Sequence, residues 1–173
     1  MEFTLKALDK KYSWGIVAGT FSKLHKGHKR LLKKAFSMTE HVLVCITTDE
    51  YAQELRKEHP IEDYSNRLVT LVEFLREIGV LERAVLYPLN DMYGPALSIG
   101  EVEALFVSEE TFLRALQVNC ERAKRGLKRL DIFVTPLVLA EDGLPISSTR
   151  IWKGEIDREG RVLSRQSPTN SSN

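Results

Sequence analysis

Cysteine is scarce in this chain, with Cys45 and Cys120 the two in 173 residues. Two thiols cannot build a disulfide framework, and neither stands at zinc-ligand spacing from other cysteines or histidines, so no structural zinc is expected. Cys45 lies in an apolar strand-like run and Cys120 in a helix-like one, and both read as reduced core thiols. Net charge is nearly absent as well: Lys and Arg total 25 against 24 for Asp and Glu, leaving +1. Such a balance supplies no global field to recruit nucleic acid or an anionic membrane, and any positive site must be local. Long hydrophobic runs are also missing. Nothing approaches the roughly 18 apolar residues of a membrane-spanning helix, and the opening MEFTLKALDKKY has no apolar signal-peptide core. The expectation is a cytoplasmic protein with neither membrane nor nucleic acid as partner.

What is present is a regular alternation. SWGIVA, residues 13–18, is short and apolar, stops at Gly19, and is followed by HKGHKRLLKKAF with Leu31, Leu32, Ala35 and Phe36 at helical spacing. That is strand, turn, helix. HVLVCIT, residues 41–47, is β-branched without polar alternation, the pattern of a strand covered on both faces. A helix over 64–78 carries Leu68, Leu71, Val72, Leu75 and Ile78 on one face and has Gly79 just past its end. Strands are predicted at 83–87, 102–107 and 130–139, with a loop over 89–100. A helix over 109–126 starts acidic and ends basic, as the macrodipole favours. A short last helix covers 148–155. Together these predict a single α/β domain over 1–163: a Rossmann-like, mainly parallel sheet of about five strands with helices on both faces. Residues 164–173 are polar and read as a disordered tail. Ligands of such sheets bind beyond the carboxyl ends of the strands.

The run Gly19-Thr20-Phe21-Ser22-Lys23-Leu24-His25-Lys26-Gly27-His28 occupies the first strand-to-helix turn. Main-chain donors at a helix N-terminus form an anion site, and Gly19 and Gly27 allow close backbone approach. His25 and His28, three apart, project from one face of the first helical turn. Lys23, Lys26 and Lys29 add local positive charge. The plainer reading is a basic helix start with one histidine capping and one exposed. Likewise, Ser147 and Ser148 before the last helix are ordinary N-cap residues, and Ser108 before Glu109 and Glu110 is an ordinary helix start.

The run from Gly19 to His28 resembles the GTFDPLHxGH signature of the nucleotidyltransferases related to class I aminoacyl-tRNA synthetases. Ile146-Ser147-Ser148-Thr149-Arg150-Ile151 is similar to the ISSTxI motif of the same superfamily. Two further segments narrow the resemblance to archaeal and eukaryotic phosphopantetheine adenylyltransferases. Asp91-Met92-Tyr93-Gly94-Pro95-Ala96 resembles their DPYGPA loop, and Val107-Ser108-Glu109-Glu110-Thr111 followed by Asn119 and Arg122 resembles their VSEET…N..R helix. The likeness spans residues 13–157. It departs at Ser22 and Lys23, where the signature carries Asp and Pro, and at Ala18, which replaces the first of a glycine pair.

That resemblance implies transfer of AMP from ATP to 4'-phosphopantetheine, giving dephospho-coenzyme A and pyrophosphate, a step of coenzyme A biosynthesis. It implies that His25 and His28 bind the ATP phosphates, that Thr20 positions the attacking phosphate, and that Arg150 with Ser147, Ser148 and Thr149 holds the β- and γ-phosphates. Gly19, Phe21 and Gly27 belong to the same nucleotide site, with Ser108, Glu109 and Asn119. Lys57 and Arg67 are further candidates, set against ordinary solvated charges near helix ends. Magnesium is expected with ATP, ligated by phosphates and water, and no protein metal site is expected. The alternatives are another member of the superfamily, such as a nicotinamide mononucleotide adenylyltransferase or a cytidylyltransferase, and a nucleotide-binding module without catalysis.

Overall fold

The computed structural model describes residues 11–55 and 59–163. Lys57 and the 164–173 segment read as a tail therefore lie outside the described residues. Five strands form one sheet: β1 (Tyr12–Gly19), β2 (Thr39–Thr47), β3 (Ala84–Leu89), β4 (Ala104–Ser108) and β5 (Asp131–Thr135). Their order is β3-β2-β1-β4-β5, and every neighbouring pair is parallel. The helices are α1 (Lys26–Met38), α2 (Asp49–Glu54), α3 (Tyr64–Glu77), α4 (Phe112–Lys124) and α5 (Ser148–Trp152). This is the Rossmann-like α/β domain expected from the alternation.

The absence of polar alternation in β2 has a direct cause. Val42, Val44 and Ile46 enter one core with Val17, Leu32, Leu71 and Leu75, while Leu43 and Cys45 enter another with Ile16, Leu105, Ala115 and Val118. The first core lies under α1 and α3, the second under α4. Both faces are covered, so both sets of alternate side chains are apolar. A third, smaller cluster of Ala140, Ile146 and Ile156 holds the C-terminal segment together.

Several details differ from the sequence reading. The chain forms α2 directly after β2, capped by Thr48, whose Oγ1 accepts the Tyr51 N–H at 3.3 Å. β3 runs through Pro88, which pairs with Ile46. An edge strand tolerates proline because one side of its backbone needs no N–H partner. β5 is shorter than predicted and stops at Thr135, before Pro136. The long acidic-to-basic helix begins as a tight turn, Glu109–Thr111, before α4 proper. Cys45 is buried as expected, and burial pushes its thiol up to about 12. Cys120 is exposed, contrary to its reading as a core thiol: the buried positions of α4 are Ala115, Val118 and Arg122, and Cys120 falls on the opposite face. No described helix is long and apolar enough to cross a membrane.

Sheet order reverses beside β1, since β2 and β3 lie to one side of it and β4 and β5 to the other. The crevice at the carboxyl edge there is where such sheets take ligands. A cleft of about 530 Å³ occupies that edge, lined from the β1–α1 turn, β4, β5 and the start of α5.

Candidate functional site

The β1–α1 turn is held in an unusual backbone shape. Phe21 and Lys23 have φ of 54° and 53°, in the left-handed region that non-glycine residues seldom enter. A proline at position 23 is excluded by this geometry, because its ring fixes φ near −65°. The departure from the related signature is thus a backbone difference as well as a change of side chain. Glu62 holds the turn: its carboxylate accepts the Lys23 N–H at 2.6 Å and lies 3.7 Å from the Lys23 ammonium. Ser148 Oγ donates to the Ser22 carbonyl at 2.7 Å, tying the start of α5 to the same turn. At Gly19 an added Cβ would lie 3.3 Å from the buried Phe21 ring, a tight contact that glycine avoids.

His25 is the N-cap of α1. Its Nδ1 accepts the Gly27 N–H at 3.1 Å, and His28 Nδ1 accepts the His25 N–H at 3.3 Å. The two rings stack with centroids 3.8 Å apart. A Cβ at Gly27 would sit 3.0 Å from His25 Cε1, so glycine lets the ring lie against the helix start. This wiring assigns the tautomers. A nitrogen that accepts from a main-chain N–H carries no proton, so in each neutral ring the proton is on Nε2. Both residues line the cleft. Burial first, and the charge of Arg158 second, lower His25 to a pKa of about 4, so it is neutral at physiological pH.

The same wiring corrects the expectation that main-chain N–H groups of α1 would themselves bind the anion. Gly27 N–H is engaged by His25, Lys26 N–H donates to the Arg158 carbonyl at 3.0 Å, and Lys29 N–H returns to the His25 carbonyl.

Of the sequence candidates, Gly19, Thr20, Phe21, His25, Gly27, His28, Ser108, Ser147, Ser148, Thr149 and Arg150 all border the cleft. Three others, and the guanidinium of Arg150, require correction or qualification. Arg67 is fully buried and does not border the cleft; Nη1 donates to the Thr20 and Thr47 carbonyls at 2.9 and 2.8 Å, Nε to the Glu62 carbonyl, and Nη2 pairs with Asp49. It braces the ends of β1 and β2 from below. Asn119 spans to Leu130, accepting its N–H at 2.7 Å and donating to its carbonyl at 2.9 Å, and so fixes α4 to the approach of β5. Glu109 is exposed and outside the cleft wall, which is formed instead by Ser108, Glu110 and Thr111. Arg150 borders the cleft, but its guanidinium is bound to Asp142 and Glu155 and to the Pro145 carbonyl at 3.1 Å. Its charge is already matched inside the C-terminal segment.

Sequence reasoning missed Tyr51, His59, Arg114 and Thr135 as cleft residues. Arg114 forms no ion pair among the described residues. No motif flagged these side chains, because they reach the cleft from α2, from the loop after it, from α4 and from the end of β5.

Comparison with known proteins adds an independent line. The family described as Cytidylyltransferase-like matches residues 16–154. The chain is 42% identical over 160 residues to the phosphopantetheine adenylyltransferase of Methanosarcina barkeri, covering 91% of this chain and 97% of that one. It is 42% identical over 158 residues to the enzyme of the same name from Methanothermobacter thermautotrophicus, at 91% and 94% coverage. Among solved structures, a protein of unknown function from Archaeoglobus fulgidus shares the fold, with a TM-score of 0.64 and 24% identity over 70% of this chain and 97% of that chain.

Proposed function

The chain belongs to the cytidylyltransferase-like family and within it to the phosphopantetheine adenylyltransferases, and from this we propose that it joins the AMP of ATP to 4'-phosphopantetheine in the cytosol. The products are dephospho-coenzyme A and pyrophosphate. The observation that carries this reading is the convergence of the β1–α1 turn and the Ser147–Arg150 segment on one cleft, with Ser148 bonded to the Ser22 carbonyl across it.

A phosphate oxygen attacks the α-phosphorus and pyrophosphate leaves. The nucleophile is already anionic near neutral pH, so rate enhancement comes from alignment of the reactants and from fixed donors where negative charge grows. His25 and His28 suit that task because the two rings stack on one another and are tied to the start of α1 through Nδ1, and burial keeps His25 neutral. They need no reorganisation as the α-phosphate gains charge. Thr20 sits at the end of β1, its carbonyl anchored by Arg67, in position to orient the incoming phosphate. Ser147, Ser148 and Thr149 flank the polyphosphate from the other wall, and Arg150 supports that wall through Asp142 and Glu155.

Magnesium enters with ATP. Among the described residues no group of three His, Cys, Asp or Glu is arranged to hold a metal ion, so phosphates and water are its expected ligands. The test is pyrophosphate release from MgATP with a panel of acceptors. Release with 4'-phosphopantetheine supports the reading; release with nicotinamide mononucleotide alone replaces it with another adenylyltransferase, and nucleotide binding without any release leaves a non-catalytic module.

A further inference from the structure

The cleft contains a third histidine, wired in the opposite sense to the other two. His59 stands in the loop between α2 and α3, is 8% exposed, and borders the same cleft as His25 and His28. Its Nδ1 lies 2.9 Å from the Pro60 carbonyl. A carbonyl oxygen only accepts, so Nδ1 carries the proton and the neutral ring leaves a lone pair on Nε2. The ring face is held by Trp152 of α5, at 6.5 Å between centroids and an interplanar angle of 30°. Nε2 has no hydrogen-bond partner among the described residues. It is not sealed off either: the fully shielded side-chain polar atoms without a partner, among the described residues, are Arg122 Nη2 and Thr135 Oγ1. Nε2 therefore remains open on a ring that is otherwise buried and fixed on one edge and one face.

Phosphate oxygens are hydrogen-bond acceptors, and a lone pair facing them repels. His25 and His28 already offer Nε2–H, and protonating either would break the cap that its Nδ1 supports. His59 differs. Protonation at Nε2 keeps the Nδ1–H bond to Pro60 intact and converts the open nitrogen into a charged donor. The other titratable or charged side chains around the cleft are His25, His28, Tyr51, Glu110, Arg114 and Arg150. Glu62, three residues on from His59, is engaged by Lys23 and Arg158.

We propose that His59 is a phosphate-contacting residue of the cleft that binds its anion as the imidazolium, so that ligand binding takes up a proton at Nε2. The step breaks no heavy-atom bond: a proton from solvent joins the Nε2 lone pair, and the resulting N–H donates to a phosphate oxygen. The inference rests on the cleft being the phosphate-transfer site. The phosphate could belong to ATP or to the acceptor, and the experiment separates the two.

Calorimetric titrations of the full chain near pH 7.5, in buffers of different ionisation enthalpy, read proton uptake on binding. Three ligands are used: magnesium with the α,β-methylene analogue of ATP, 4'-phosphopantetheine, and inorganic tripolyphosphate. Uptake of up to about one proton is expected with the ligand whose phosphate meets His59. His59→Asn keeps a side-chain amide able to reach the Pro60 carbonyl but removes Nε2; it should abolish the uptake and weaken that ligand by about tenfold or more. His59→Gln, with an uncharged donor near the Nε2 position, should recover part of the affinity without the uptake. No uptake by the wild-type protein with any ligand it binds, or uptake unchanged in His59→Asn, would overturn the assignment. Tripolyphosphate keeps the test independent of the acceptor: its binding with His59-dependent uptake sustains the proposal even if 4'-phosphopantetheine fails as a substrate.

Discussion

The two walls of the cleft are both built on helix caps, yet they handle charge differently. On the β1–α1 side the N-cap is His25, and the ring that caps the helix also presents its other nitrogen to the cleft. On the α5 side the N-cap is Ser147, whose Oγ accepts the Arg150 N–H at 3.3 Å, while the Arg150 guanidinium turns to Asp142 and Glu155. One wall relays neutral donors outward; the other neutralises its cation internally. Two segments that look equally suited to phosphate as sequence thus divide into one that offers donors and one that holds shape. The basic residue of a motif is no guarantee of a free charge, because nearby carboxylates compete for it.

The most severe way to test that contrast is His28→Ala. Loss of one preorganised donor costs on the order of 10² to 10³ in turnover. Pyrophosphate release at saturating substrates measures it, and a melting temperature recorded alongside separates the donor from the cap that His28 supplies to the His25 N–H. Near-normal turnover would place both walls in the supporting class.

Acid titration of stability comes next. His25 has a pKa of about 4 when folded against 6.5 for the ordinary group, so the fold favours its neutral form. Its contribution is fully present above pH 6.5, falls as the unfolded chain takes up a proton that the folded one refuses, and levels off below about pH 4. The total is about 3 kcal/mol. Urea unfolding between pH 7 and 4 should show this loss, and His25→Asn, which still caps, should flatten that part of the slope. An unchanged slope would mean the ring is not shielded as described.

Arg150→Ala probes the opposite wall. Because the guanidinium is engaged by Asp142 and Glu155 at partly exposed positions, its removal should lower the melting temperature only slightly. ATP affinity should change by less than about threefold. Calorimetry showing a tenfold loss of ATP affinity at unchanged melting temperature would return this arginine to the phosphates and erase the contrast. The smallest effect expected is from Ser148→Ala, which removes a side-chain hydrogen bond between the walls. A neutral bond of this kind contributes about 1 kcal/mol or less. Here the Michaelis constant for ATP is the informative quantity: a rise without loss of melting temperature shows that the tie sets the spacing of the walls.

The fold class was legible because the apolar runs themselves report it. β2 is apolar at successive positions since it is covered on both faces, and α1 shows Leu31, Leu32, Ala35 and Phe36 at helical spacing because that stripe enters one core. Element ends were less legible. Pro88 passes within one edge strand, β3, while Pro136 follows the end of the other, β5, and nothing local distinguishes the two. Cys120 looked like a core residue because it lies in a helix-like run, and only the rotation of α4 against the sheet puts it outside.

For the site, local sequence was sufficient for residues whose role depends on their own turn. His25, Gly27 and His28 act within four residues of one another, so their spacing already contains the cap, the stacking and the tautomers. Arg67, Asn119 and Arg150 could not be assigned that way. Their long side chains reach partners set by the tertiary structure: the Thr20 and Thr47 carbonyls, the Leu130 main chain, and Asp142 with Glu155. His59 is the same case in reverse, a histidine with no motif around it that enters the cleft because the loop after α2 folds back against Trp152. The sequence by itself determined the alternation, the cores and the cap chemistry, since periodicity and near-neighbour hydrogen bonds are local quantities. Only the tertiary structure decided which charges are free and which are matched, because a charge is settled by whatever lies within a few ångströms of it, however distant along the chain.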